Sequence, residues 1–154
     1  MAKIQRKYLA HYIQVGDNYE LLGDDLEEFS PEMNAKVEIK RNILGQADVV
    51  ISGYEKTAEV DTYFAREGMP LFEKLQQILD KDLVLDDLKV QVVEVKLWEV
   101  QENTCSAVQE DAYIEVVSYG GNSDGYQIPF KLHYTGKKTE GQFHLTDKTF
   151  TAGV

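Results

Sequence analysis

Strict alternation of apolar and polar residues is the pattern that most constrains the fold of this chain. From Tyr126 to Tyr134 every second residue is apolar, and Lys131 and His133 lie among the residues between them. Successive side chains of a β-strand point to opposite faces, so this spacing predicts a half-buried strand. Because proline cannot donate a ladder hydrogen bond, Pro129 within this stretch is expected at a sheet edge or at a bulge.

Similar patterning recurs along the chain and predicts a mostly antiparallel β fold. The predicted strands span residues 35–40, 47–54, 90–100, 111–119, 126–134 and a last strand that includes Phe143 and Leu145. The first two would form a hairpin through residues 42–46. The strand at 90–100 carries apolar residues on both faces, and glycine-containing turns are predicted at 120–125 and 135–141.

One amphipathic helix is predicted over residues 70–81. Pro70 suits its first turn, where the missing N–H would be unpaired in any case. The apolar residues recur at helical spacing, at Leu71, Phe72, Leu75, Ile78 and Leu79. This stripe must pack on another apolar surface, which here would be a sheet face. A weaker helical stretch is expected at 61–66.

These elements predict a single domain over residues 1–154. The expected fold is mainly β with one helix (α+β), an antiparallel β-sandwich or barrel flanked by an α-helix. The N-terminal segment, about residues 1–18, and the C-terminal tail, about residues 146–154, are expected to be loose.

The charge excludes one large class of function. The chain has 16 basic and 27 acidic residues and a formal net charge of −11. Nucleic-acid affinity comes mainly from Lys and Arg that neutralise phosphates, so a DNA- or RNA-binding role is not expected. Seven of the acids lie between Asp17 and Glu32 with no base among them. This run is either a solvated loop or a surface that meets a basic partner or repels a polyanion.

Cysteine content and hydropathy favour a protein that folds in a reducing cytoplasm. Cys105 is the only cysteine, which excludes an internal disulfide framework. No apolar run approaches the roughly 20 residues of a membrane-spanning helix, and no apolar stretch follows the basic residues Lys3, Arg6 and Lys7. We therefore expect neither a membrane association nor a secretory signal.

No motif for catalysis, cofactor binding or metal binding stands out. His133 and His144, on neighbouring predicted strands, could hold a metal with Cys105, and Cys105 could pair with His133 and Asp111 as a nucleophile, but their spacing matches no known motif. The glycine-containing stretch 120–125 precedes a strand rather than a helix, which favours a hairpin turn over a phosphate loop.

Paired carboxylates and aromatic residues also have simpler explanations than a site. The pairs are Asp24/Asp25, Glu27/Glu28, Asp86/Asp87 and Glu110/Asp111. Adjacent residues of a strand point in different directions, so these pairs are expected to face solvent or a subunit contact rather than form a catalytic dyad. The aromatic residues Trp98, Tyr113, Tyr119, Tyr126 and Tyr134 are expected in core or interface packing. The sequence thus predicts that the protein is not an enzyme and uses no cofactor.

Several segments together resemble the tail tube (major tail) proteins of long-tailed bacteriophages. The similar segments are 21–28, 42–45, 97–99, 110–116, 118–121, 125–130 and 133–136, with the sequences LLGDDLEE, NILG, LWE, EDAYIEV, SYGG, GYQIPF and HYTG. The resemblance extends from about Tyr8 to Phe143. These are structural patterns rather than catalytic signatures.

The resemblance implies a structural virion protein with a β-sandwich or barrel beside one helix. Such subunits form rings, usually hexameric, that stack into a hollow tail tube. A tape-measure protein fills the lumen, tail-end or baseplate proteins close the tube, and DNA passes through it without specific binding. The implied location is the virion tail, assembled in the host cytoplasm. An acidic wall suits such a conduit, because a basic wall would retain DNA.

The resemblance also implies a long loop that reaches a neighbouring subunit or ring. We expect this loop at about residues 24–32, or in the segment after Tyr54. Ring closure needs two different surface patches. The candidate contacts are Asp24, Asp25, Glu27 and Glu28 on one side, and Lys137 and Lys138, or the N-terminal Lys3, Arg6 and Lys7, on the other.

Two alternatives to the tail tube stay open at this point. A tube subunit of a contractile tail or of a related injection or secretion apparatus would share the fold and the assembly. A small β-barrel ligand-binding protein or enzyme would instead require a concave apolar pocket with convergent polar groups.

Overall fold

The computed structural model describes residues 1–153, which contain eleven strands and one α-helix. The strands are β1 (Leu9–Val15), β2 (Asn18–Leu22), β3 (Ala35–Arg41), β4 (Ala47–Tyr54), β5 (Thr57–Val60), β6 (Lys89–Gln101), β7 (Thr104–Val116), β8 (Gly120–Asn122), β9 (Gly125–Gln127), β10 (Phe130–His144) and β11 (Thr149–Ala152). The helix is α1 (Pro70–Lys81), and short 3-10 turns lie at Arg6–Tyr8 and Leu85–Leu88.

Seven of the strands form one antiparallel sheet. Its order is β11-β10-β7-β6-β1-β2, and β5 pairs with the first part of β10. The sheet curls into a half-barrel. Two strands, β6 and β7, separate β1 from β10 in the sheet, and yet the ring of Tyr12 on β1 stacks on Phe143 of β10 with a centroid distance of 4.5 Å. The predicted fold class, mainly β with one flanking helix, is confirmed.

The core has two parts, one on each face of the curled sheet. Val90 and Val92 of β6 belong to the larger cluster, which includes the buried side chains of the helix. Val93 and Val95, on the opposite face of the same strand, pack with Phe143 inside the curl. The prediction of apolar residues on both faces of this strand is therefore confirmed.

The helix occupies the predicted residues. Pro70 is its first residue, and the chain leaves the helix at Asp82, which is left-handed with φ of 49°. Leu71, Leu75 and Ile78 are buried against the sheet. Glu20 of β2 accepts a hydrogen bond from the free backbone N–H of Leu71, which satisfies one of the unpaired donors of the first turn. No helix among residues 1–153 is long and apolar enough to span a membrane.

Both ends of the chain are more ordered than expected. The segment 1–18 contains β1, which lies between β2 and β6 inside the large sheet and buries Ile13 completely. The tail 146–154 contains β11, which pairs with β10 and brings Phe150 to the core inside the curl. Pairing with the distant strand β6 orders the first segment, which its local sequence alone does not reveal. The second segment is ordered locally, because the chain turns after His144 and returns along β10.

Three local predictions were wrong. Residues 61–66 form no helix, and Phe64 instead makes an isolated bridge with Gln127. The predicted turn at 135–141 lies within β10, where an irregularity between Tyr134 and Lys138 accommodates extra residues. The predicted strand 126–134 is divided at Pro129, which lies between β9 and β10 rather than within a strand.

Candidate assembly interface

The hairpin formed by β3 and β4, residues 35–54, is here called the arm. Its two strands form a sheet of their own that is not joined to the large one. Every residue of the arm is exposed except Gly53, which is half-buried. The predicted hairpin is confirmed, but its strands are not half-buried as their alternation suggested.

One face of the arm is apolar and uncovered. Val37 lies opposite Ile51, and Ile39 lies opposite Val49, so these four side chains share a face. Their exposed fractions run from 54% to 66%. A monomeric protein rarely leaves such a contiguous apolar face in water, and a lone two-stranded hairpin is marginally stable by itself. The face is therefore a candidate protein interface.

The other face of the arm is mostly charged. Lys40 lies opposite Asp48, and Glu38 lies opposite Val50. The whole arm carries three basic and two acidic side chains, namely Lys36, Lys40, Arg41, Glu38 and Asp48. The arm is thus slightly basic on a chain that is strongly acidic overall.

The tip of the arm presents two bulky apolar side chains. The exposed fractions of Ile43 and Leu44 are 102% and 76%. Asn42 shapes the loop, since its side-chain oxygen accepts hydrogen bonds from the backbone N–H groups of Leu44 and Gln46 at 2.9 and 3.1 Å. Gly45 supplies the left-handed conformation that the loop requires, with φ of 78°.

Hydrogen bonds anchor the base of the arm to the domain. The Asn34 side chain donates to the backbone oxygen of Glu55 at 3.0 Å and to Oγ1 of Thr57 at 2.9 Å. Glu32 and Thr57 exchange two backbone hydrogen bonds just below. The arm therefore projects from an anchored base.

The acidic segment 24–32 does not project. Phe29 is buried, and Leu26 packs against the larger core. Asp25 forms an ion pair of 2.9 Å with Arg66 of the same chain, and Arg6 donates to the backbone oxygen of Phe29 at 2.9 Å. The other loop position expected from the resemblance, after Tyr54, contains β5, which pairs within the large sheet.

The remaining predicted contact residues are exposed. Asp24, Glu27 and Glu28 lie on the surface of the acidic segment, and Lys137 and Lys138 lie at the irregularity of β10. No ion pair among residues 1–153 joins the acidic segment to either of these lysines. Their pairing between subunits stays a prediction.

The candidate metal ligands are not brought together. His133 and His144 lie on the same strand, β10, rather than on neighbouring strands. His133 contacts Glu115 at 2.7 Å, His144 contacts Thr151 at 3.0 Å, and Cys105 is buried. Within the described residues no group of three His, Cys, Asp or Glu side chains could hold a metal ion.

The glycine-containing stretch 120–125 and the Glu110/Asp111 pair take part in the fold through contacts with neighbouring residues. The stretch 120–125 forms most of the β8–β9 hairpin. Asp111 forms an ion pair with Lys89, at 3.3 Å. Glu110, which is expected to face solvent or a subunit contact, is buried instead. It is compensated there by an ion pair with Lys56 and by a hydrogen bond from the N–H of Gly136, within the irregularity of β10, at 3.1 Å.

Comparison with known proteins returned no matching family model and no matching curated protein.

The tip residues Ile43 and Leu44 were missed as interface candidates. A turn between two strands usually carries small or polar residues such as Gly, Asn, Asp or Ser. Two bulky aliphatic side chains in a turn do not help to form it. Their presence there was the sequence signal that could have identified Ile43 and Leu44 as interface candidates.

Proposed function

We propose that this protein is a tail tube subunit, a structural virion protein that assembles into stacked rings, hexameric as in the family that it resembles. The observation that supports this proposal most directly is the arm, whose apolar face and tip have no partner within the described chain. A second copy of the same chain supplies that partner.

The geometry of the arm suits contact between copies. Each of its strands has at least seven residues, so it reaches about 24 Å from its base at about 3.4 Å per residue. A contact between an arm and a different patch on the next copy is heterologous, and such contacts close into rings or continue as filaments. A tube of stacked rings needs both kinds of contact, one that closes each ring and one that continues from ring to ring.

The charge of the chain supports the same function. A net charge of −11 on each subunit makes an assembled tube strongly acidic. DNA would pass such a wall without being retained, because few bases are available to neutralise its phosphates. Tape-measure and tail-end proteins are the other partners that this function implies, and the virion tail is its location.

Electron microscopy of the concentrated protein tests the proposal. We expect negatively stained rings or tubes whose abundance rises with protein concentration. In a matched variant, a short Gly-Ser turn replaces residues 36–53, which contribute no buried side chain to the core. This variant should keep its fold by circular dichroism and lose the assemblies. A protein that stays monomeric at every concentration, with or without the arm, contradicts the proposal and favours the ligand-binding or enzyme alternative.

The tube of a contractile tail would give the same rings. Binding of a sheath protein to the outside of the assembled tube distinguishes that alternative from the non-contractile tail.

A further inference from the structure

We propose that the tip of the arm inserts into one particular groove on a second copy of this chain, an inference that rests on the proposed self-assembly. The groove lies between the start of β1, the end of β2 and the acidic segment 24–32, and has a volume of about 420 Å³. Its apolar lining consists mainly of Leu9, Leu21, Leu22, Leu26, Phe29 and Leu97.

The groove has the size and character to take the tip. A dry apolar cavity of about 150 Å³ already holds a benzene molecule, so 420 Å³ has room for two branched aliphatic side chains. Ile43 and Leu44 are adjacent at the end of the arm and are held outward by the loop that Asn42 shapes. Burying each of them is worth about 1.5–3 kcal/mol of hydrophobic free energy.

The tip of the arm does not fill the groove of its own chain. The Ile43 side chain is fully exposed, so it does not contact the groove of its own chain. The rest of the arm is also exposed apart from the half-buried Gly53, so the arm does not fold back onto its own domain. The groove and the tip are different surfaces, as a heterologous contact requires.

Charges around the two surfaces are complementary. Lys40 and Arg41 immediately precede the tip, and Glu27 and Glu28 line the groove. Neither glutamate joins an ion pair among residues 1–153.

The two bases that also line the groove are held within their own chain. Arg6 donates to the backbone oxygens of Leu9 and Phe29, and the amino group of Lys7 lies 5.3 Å from the centre of the Tyr8 ring. The carboxylates of the groove are therefore available to the bases of an incoming arm.

Disulfide cross-linking between two variants tests the contact. Leu44→Cys places a thiol on the tip, Leu21→Cys places one in the groove, and both positions are more than half exposed. The natural Cys105 is 1% exposed and will not compete. When the two variants are mixed under assembly conditions and oxidised, we expect a covalent dimer. Val117→Cys, exposed but outside the groove, is the matched control and should give no dimer with Leu44→Cys.

A charge reversal gives a second, independent readout. The variant Glu27→Lys/Glu28→Lys should assemble only at higher protein concentration, and adding Lys40→Glu/Arg41→Glu should restore assembly. If tubes form but neither the Leu44–Leu21 cross-link nor this rescue is observed, the groove assignment is wrong and the proposed function is still supported. Absence of any assembly by the unaltered protein overturns both.

Discussion

Lys56 and Glu110 form an ion pair inside the protein. The Lys56 Nζ lies 2.7 Å from Oε1 of Glu110, and the exposed fractions of the two side chains are 14% and 5%. The ammonium group also lies 4.4 Å from the centre of the Tyr134 ring, and the Lys56 backbone oxygen accepts a hydrogen bond from the Tyr134 N–H at 3.0 Å. Since Lys56 lies two residues after the end of the arm, these contacts tie that end to the large sheet.

Lys56→Met should destabilise the protein strongly. The substitution keeps the length of the side chain but leaves Glu110 as a buried charge without its counterion. Removing one partner of a buried pair typically costs about 3–5 kcal/mol, and we expect a loss near the lower end because the Gly136 N–H still donates to Glu110, at 3.1 Å. Urea unfolding measures the free energy of unfolding.

Lys36→Met is the matched control for that prediction. It breaks the ion pair of Lys36 with Glu55, whose side chains are 56% and 70% exposed. An exposed pair contributes at most about 1 kcal/mol because water screens it. Equal losses in the two variants would show that the burial of the Lys56 pair has no energetic consequence.

Gly141→Ala should detach β11 from the sheet. A Cβ at Gly141 would overlap the backbone oxygen of Thr151 and come within 2.8 Å of the Phe150 ring. Hydrogen exchange should become faster at the amides of β11, and the protein should lose about 1–3 kcal/mol of stability, as overpacked sites do. Gly53→Ala, with open space around the new methyl group, should change stability by less than about 1 kcal/mol. Unchanged exchange in β11 would contradict the close approach of the two strands.

Local sequence patterns predicted the elements that are determined by residues close together in the chain. Pro70 and the apolar stripe defined the helix, and the alternation at residues 35–40 defined the arm together with its loop at Asn42. The strand β6 was likewise predicted from its apolar residues on both faces, and the β8–β9 hairpin from the glycine-containing stretch 120–125.

Long-range pairing was not visible in the sequence. The segment Leu9–Val15 alternates only weakly because His11 lies among the residues on its buried face, and pairing with β6 orders it. The apolar alternation of β3 and β4 looked the same as that of a half-buried strand. A single sequence shows that a face is apolar and does not show whether its own chain or another chain covers it.

Glu94 should make the stability depend on pH. The nearby ring of His11, whose Nε2 lies 3.6 Å away, lowers the pKa of Glu94, burial opposes this effect, and Lys56 and Lys96 assist it. The interaction with His11 is the largest of these causes and outweighs the effect of burial.

The sign of the pH effect follows from the direction of the pKa shift. A carboxyl whose pKa is lower in the folded protein stabilises it above the unfolded pKa of 4.5, and this contribution is lost as the pH falls through the folded pKa. Glu94→Gln should therefore be less stable than the unaltered protein at about pH 7, and the difference should shrink below 4.5. Urea unfolding across this range measures it, with the exposed Glu99→Gln as control. A difference that is independent of pH would contradict the shift.

Comparing Val49→Asn with Val50→Asn should show which face of the arm takes part in assembly. Val49 lies on the apolar face opposite Ile39, and Val50 lies on the charged face opposite Glu38. Both are exposed, so each monomer should keep its stability within about 0.5 kcal/mol. If the apolar face is buried on assembly, losing Val49 there costs about 1.5–3 kcal/mol, which weakens each contact roughly tenfold to a hundredfold. Sedimentation velocity over a concentration series should show this shift for Val49→Asn and little change for Val50→Asn. Equal shifts in the two variants would mean that assembly does not distinguish the faces, and the arm would then act through its tip alone.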